Sequence, residues 1–169
     1  MLYFAYGSNL NAAAVADWSR YVGIKPPALR EPTAAVLENY RLGFPVYSDY
    51  WGGGVADVSA DPGKTVMGAL WDVSEADLDK LERKSVDGLA DGTGSRRIEV
   101  DVRPFLNGPA RRAVVFTSTT KQGLDVPPTE TYLQTVVAGA YDVGLSMMWI
   151  SYLKSFATQP AQVPGRHRA

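Results

Sequence analysis

Two strings in this chain hold residues able to do chemistry: Leu2-Tyr-Phe-Ala-Tyr-Gly-Ser-Asn-Leu10 and Leu78-Asp-Lys-Leu-Glu82. In the first, the aromatic run Tyr3 to Tyr6 suits a half-buried strand. Gly7-Ser8-Asn9 is a turn signal, and Leu10 to Trp18 continue at helical periodicity. A strand entering a helix through such a turn brings backbone N–H groups to a helix N-terminus, where a carboxylate, a phosphate or a developing oxyanion is stabilised. An ordinary strand-to-helix turn has the same pattern. In the second string, Leu78, Leu81 and Glu82 share an apolar helix stripe. A carboxylate on a core-facing stripe is costly without partners, and burial raises its pKa toward the range useful for proton transfer. Alternatively Glu82 sits at the rim, paired with Arg83, Lys84 or Arg96. Asp79 is a weaker candidate, and Glu99 and Asp101 read as the wet face of a strand.

Elimination narrows the chemistry. The chain has no cysteine, so disulfides, thiolate nucleophiles and cysteine-based metal sites are excluded. Its single histidine, His167, lies in Val-Pro-Gly-Arg-His-Arg-Ala at the end, a poor place for a Ser-His-Asp triad or a metal ligand. A general acid or base must therefore be a carboxylate, a tyrosine or a lysine. Lys plus Arg number 17 against 18 Asp plus Glu, which gives none of the basic footprint that nucleic acid requires. Gly52-Gly53-Gly54 lacks the Gly-Lys-Ser/Thr ending of a phosphate loop and reads as a hairpin turn. The Trp-Tyr clusters near 47–51 and 147–152 read as core or interface. No window approaches about 18 consecutive apolar residues, so no membrane span is expected. Met1 leads into a strand without a signal-like segment, and a cytoplasmic protein is expected.

The elements that must position these residues follow from pattern. Strands are expected at 2–6, 33–37, 40–44, 55–59 and 66–72, with Asp61-Pro62-Gly63 a turn between the last two. A helix runs from about Asn11 to Ser19. Ser74 caps a second helix from Glu75 to about Lys84. Arg97 to Arg103 alternates with Ile98, Val100 and Val102 inward, and Ala113 to Thr117 is a further strand. Helices from Tyr132 to Val143 and from Ser146 to about Phe156 close the chain. The predicted fold is α+β, a small mixed β-barrel with flanking helices, over residues 1–156, with 157–169 a flexible tail. The last helix carries Trp149, Tyr152 and Phe156 as core or as the face of a homodimer.

Leu-Tyr-Phe-Ala-Tyr-Gly-Ser-Asn-Leu resembles the N-terminal signature of the gamma-glutamylcyclotransferase family, which includes AIG2-like proteins. The resemblance continues in order through Trp51-Gly-Gly-Gly-Val-Ala-Asp57, Val66-Met-Gly-Ala-Leu-Trp-Asp-Val-Ser74, Leu78-Asp-Lys-Leu-Glu82, Ile98-Glu-Val-Asp-Val102 and Tyr132-Leu-Gln-Thr-Val-Val-Ala-Gly-Ala140, covering roughly residues 2 to 153. It implies a small mixed barrel and Glu82 as catalytic acid/base. It implies a substrate-binding loop of Tyr3, Phe4, Ala5, Tyr6, Gly7, Ser8 and Asn9, with Tyr132 as a further substrate contact. It implies a small γ-glutamyl substrate, no metal and no organic cofactor. The reaction would close the substrate's α-amine onto its γ-carbonyl and release 5-oxoproline. A rival on the same fold acts on a γ-glutamyl group carried by a natural-product or protein lysine amine, and another is a non-catalytic binding module. Three departures lie beside the expected site: Arg83 where Gly usually follows the glutamate, Ser95 where Tyr is common, and a loop at 85–94 rich in Gly and Asp. Arg83 is expected to favour a substrate with an extra acidic group.

Overall fold

The computed structural model describes residues 1–89, 92–105 and 108–160. Five strands close into a barrel in the order β1-β3-β2-β4-β5. These are β1 (Leu2–Ala5), β2 (Arg30–Ser48), β3 (Gly53–Asp72), β4 (Ser95–Pro104) and β5 (Arg111–Ser118). Neighbours are antiparallel except at the closure, where β1 runs parallel to β5 through Tyr3 and Val114. The expected α+β architecture, a mixed barrel flanked by helices, is the one observed.

The strand boundaries differ from the sequence pattern in an instructive way. The segments expected as strands at 33–37 and 40–44 are one strand, β2, and those at 55–59 and 66–72 are one strand, β3. Asp61-Pro62-Gly63 is therefore not a turn that ends a strand. It bulges out of β3 where Glu38 pairs with Thr65 and Tyr40 with Ala60. Asn39 takes a positive φ of 63° opposite it, and its side chain accepts the Gly63 N–H at 3.1 Å. A second register shift falls between Gly43 and Val46. Bulges of this kind bend a strand and let a small sheet close on itself.

Alternation in the strands fills the barrel with Leu37, Val58, Val66, Leu70, Val102 and Val115, each essentially buried. Glu99 and Asp101 face water, as their register predicts, within ion-pair range of Arg112 at 3.9 and 3.5 Å. Four helices dress the barrel: α1 (Ala12–Tyr21), α2 (Glu75–Val86), α3 (Glu130–Asp142) and α4 (Met147–Lys154). Side-chain caps start each of them. Asn11, Ser74, Thr129 and Ser146 accept the N–H groups of Ala14, Asp77, Tyr132 and Trp149, contacts typically worth about 1 kcal/mol apiece. The α2 and α3 caps also fix the phase of the faces that bear on the site.

The final helix stops at Lys154, and Phe156 packs edge-on to Phe44 with ring centroids 4.8 Å apart. Trp149 is core, whereas Met147, Met148 and Tyr152 are exposed. The ordered chain passes the expected boundary at 156. Gln159 donates its N–H to the Pro128 carbonyl at 3.0 Å and its amide to the Gly52 and Pro127 carbonyls. The rest of the expected tail, 161–169 with His167, lies outside the described residues. Among the described residues no helix is long and apolar enough to cross a membrane.

Candidate ligand and active site

A cleft opens at one end of the barrel, where β1 ends and the chain turns into a single 3-10 turn (Ser8–Leu10). Its enclosed cavity volume is about 70 Å³, open on one side to solvent. The expected strand-turn-helix is present with one difference. The α1 N-terminus lies beyond the 3-10 turn, and Asn11 satisfies it with its own side chain. The Gly7-Ser8-Asn9 segment is thus a tight turn against the cleft, not the mouth of the α1 dipole.

One wall of the cleft is a tyrosine cluster. Tyr3, Tyr6 and Tyr132 all reach it and all are nearly inaccessible to solvent. The Tyr6 hydroxyl donates to the Phe116 carbonyl at 2.6 Å, with Asp57 Oδ1 3.3 Å away. Asp57 is buried and also accepts from Thr117 Oγ1, Val58 N and Ser118 N. Tyr3 OH accepts from Asn9 Nδ2 at 2.9 Å, and Tyr132 OH accepts from Ala56 N at 2.9 Å. Burial pushes all three phenols up, that of Tyr132 to about 12, so each stays protonated at neutral pH. Gly7 fits closely here: a Cβ on it would stand 3.1 Å from Tyr132 Oη and 3.3 Å from Ala56 Cβ, and one of them would have to shift by a few tenths of an ångström. Phe4 and Ala5, expected in the same loop, are wholly buried and do not reach the cleft. The Phe4 ring and the Ala5 carbonyl instead press against Gly68 of β3.

The other wall comes from the C-terminal half of α2 and the start of β4, and here the arrangement departs from expectation. The buried stripe of α2 runs Leu78, Leu81, Lys84. Glu82 lies about 100° round the helix from Leu81. Its carboxylate is held outside the cleft by Arg97, whose Nε donates to Oε2 at 2.8 Å and whose guanidinium also binds Asp79. The rim alternative describes this contact, with Arg97 in place of the arginines and lysine first considered. Arg83 is exposed and does not line the cleft. The cation that does is its neighbour Lys84, whose Nζ donates to Ser8 Oγ at 3.1 Å and Asn9 Oδ1 at 3.0 Å. Burial lowers the Lys84 pKa to about 8, an effect that Asp87 partly opposes. Ser85 and Ser95 also line the wall.

The structure thus brings together Tyr3, Tyr6, Gly7, Ser8, Asn9 and Tyr132, and leaves Phe4, Ala5 and Glu82 off the wall. Sequence reading missed Lys84, Ser85, Asp87 and Trp51 as members. The available signal was the i, i+3 continuation of the stripe from Leu78 and Leu81, which reaches residue 84 or 85 as readily as 82. Trp51 packs edge-on to Tyr132 at 5.0 Å between ring centroids, and Trp18 Nε1 donates to Asp87 Oδ2 at 2.6 Å. Those contacts join residues far apart in sequence and carry no local pattern.

A closed mixed barrel flanked by helices is the fold of solved gamma-glutamyl cyclotransferases. A solved structure named gamma-glutamyl cyclotransferase superposes with a TM-score of 0.77 at 25% identity, over 94% of this chain and 89% of that one. The curated human protein named gamma-glutamylcyclotransferase is 28% identical over 175 residues, covering 98% of this chain and 82% of that one. The bovine protein of the same name is 25% identical over 159 residues, covering 91% and 77%. A yeast gamma-glutamyl cyclotransferase specific to glutathione shares the fold at a TM-score of 0.56 and 10% identity. The chain belongs to the AIG2-like family, whose model matches residues 65–153, more than half of its length.

Proposed function

We propose that the chain binds a small γ-glutamyl amine or γ-glutamyl amino acid in this cleft and releases 5-oxoproline from it. One observation carries the reading: Tyr3, Tyr6, Gly7, Ser8, Asn9 and Tyr132 converge on one cleft of a barrel shared with enzymes of that name. The substrate brings its own nucleophile. Its α-amine attacks the γ-carbonyl, the new C–N bond closes the five-membered ring, and the bond to the departing amine breaks. The proton lost by the α-ammonium ends on the leaving amine, so the step needs only a group that relays it. Phenols held protonated by burial are suited to donate hydrogen bonds to the carbonyl oxygen as charge develops there. No metal or organic cofactor enters this scheme, and a cytoplasmic location goes with it.

Glu82 was the expected relay. In the arrangement present it would have to leave Arg97 and swing round α2 to reach the cleft. Asp87 is the sole carboxylate among the described residues lining the cleft, and it is engaged by Trp18. This favours a second reading, a binding module that holds a γ-glutamyl ligand without turning it over.

The two readings separate in one experiment. We expect 5-oxoproline release from at least one of γ-glutamyl-alanine, γ-glutamyl-ε-lysine, glutathione or simple γ-glutamyl amines. A hundredfold or greater loss of rate in Glu82→Gln would establish that Glu82 swings in. An unchanged rate would remove Glu82 from the mechanism and pass the test to Asp87→Asn. Saturable binding of 5-oxoproline with no turnover on the panel would leave the binding module.

A further inference from the structure

Two polar groups on the α2 side of the cleft lack what they need. Lys84 is 9% exposed and wholly surrounded, yet it belongs to none of the ion pairs among the described residues. Its ammonium has three donors, and its two partners, Ser8 Oγ and Asn9 Oδ1, are neutral. The acid on the same wall, Asp87, accepts from the Trp18 indole and offsets the burial of Lys84 only in part, from beyond ion-pair distance. A buried cation without a countercharge is costly. On the same wall the Ser95 hydroxyl is buried without a hydrogen-bond partner among the described residues. On the tyrosine wall opposite, Tyr3, Tyr6 and Tyr132 each have a partner, and Tyr3 and Tyr132, which accept in those contacts, keep an O–H to donate. Lys84 also lines a neighbouring groove together with Trp18, Tyr50, Trp51 and the acids Asp17 and Asp87.

We propose that Lys84 is the anchor for a carboxylate of the ligand and that Ser95 Oγ hydrogen-bonds the same ligand. The proposal rests on the γ-glutamyl reading and deepens it. A carboxylate on Lys84 supplies the missing countercharge in a low-dielectric site and leaves the phenols free to act on the carbonyl. Two carboxylates are available in this class: the α-carboxylate of the glutamyl part and that of a leaving amino acid.

Calorimetric titration at pH 7 with two matched pairs tests the idea and names the source. 5-Oxoproline against 2-pyrrolidinone probes the α-carboxylate. γ-Glutamyl-alanine against γ-glutamyl-ethylamide probes the leaving group. We expect at least one acidic member to bind tenfold or more tighter than its partner, an advantage lost in Lys84→Met and kept in Lys84→Arg. Ser95→Ala is expected to weaken both members of a pair alike. In the wild type the advantage should fade as pH rises through 8, while in Lys84→Arg it should stay flat. Equal binding within both pairs, full retention in Lys84→Met, or no binding of any probe by the wild type would each overturn the anchor. Turnover is not part of this readout. Carboxylate-dependent binding without 5-oxoproline release sinks the cyclotransferase and spares the anchor, and turnover indifferent to Lys84 does the reverse.

Discussion

The two walls of the cleft are built on opposite terms. The tyrosine wall has its hydroxyls tied to Phe116 O, Asn9 Nδ2 and Ala56 N, groups drawn from β5, the 3-10 turn and β3. The α2 wall holds a buried cation without an acid in ion-pair contact and a hydroxyl without a partner among the described residues. A wall whose hydroxyls are held by protein partners is a scaffold that aims its remaining O–H donors, those of Tyr3 and Tyr132, at fixed points. An unsatisfied wall is where a ligand gains most, since the desolvation cost of its groups has been met on folding. The comparison therefore divides the labour: the tyrosine side preorganises, and the α2 side anchors.

The comparison breaks hardest at Gly68. A Cβ there would stand 2.2 Å from the Ala5 carbonyl oxygen, between β1 and β3, where backbone rather than a flexible side chain must yield. Gly68→Ala is expected to cost about 3 kcal/mol or more, read as a fall in urea midpoint and a loss of binding to the whole γ-glutamyl panel. Unchanged stability would show that the tyrosine wall has slack. Next comes Tyr6→Phe, which strips the Phe116 carbonyl and Asp57 of a donor in a buried site. Leaving such groups short typically costs about 1–3 kcal/mol, and a thermal shift near zero would mean that water takes over the contact.

Lys84→Met is predicted to act in the opposite direction. With its pKa lowered from 10.5 to about 8, Lys84 is charged in both folded and unfolded chains below pH 8, and there its burial cost is fully present. Between pH 8 and 10.5 the unfolded chain keeps the proton that the folded chain sheds, so this contribution to stability rises with pH. After the loss of two hydrogen bonds, the variant should gain about 1–2 kcal/mol at pH 7 in the absence of ligand. Its lead over wild type should narrow toward pH 10. A variant less stable than wild type at pH 7 would show that the ammonium is already compensated. The smallest effect is expected at Arg97→Met, which frees Glu82 and Asp79 at a half-exposed ion cluster and should change stability by about 1 kcal/mol or less. A larger change in ligand binding than in stability there would show that the cluster holds Glu82 back from the cleft.

The contrast also explains what could be read in advance. Tyr3, Tyr6, Gly7, Ser8 and Asn9 lie within one short string, so local pattern sufficed to bring them forward as a group. The α2 wall depended on which way a helix turns. Leu78 and Leu81 are compatible with a stripe continuing to Glu82 or to Lys84, and the choice is made by what α2 packs on. Strand number failed for a related reason. Asp61-Pro62-Gly63 has turn chemistry, but β2 opposite supplies Asn39 in a left-handed conformation to absorb it as a bulge.

By itself the sequence determined the short-range features: strand alternation, the caps at Ser74 and Ser146, the Gly7 turn, the absence of thiol chemistry and the α+β barrel class. Each depends on residues within a few positions of one another, where sterics and hydrogen-bond reach decide the outcome. Only the tertiary structure decided that Glu82 belongs to Arg97, that Lys84 turns into the cleft, and that Ser95 stands there without a partner among the described residues. Those outcomes depend on the rotation of α2 against the barrel and on the register of β4, which are set by packing across long sequence separations. Electrostatic cost in a buried site follows that placement, and so does the class of ligand the cleft can take.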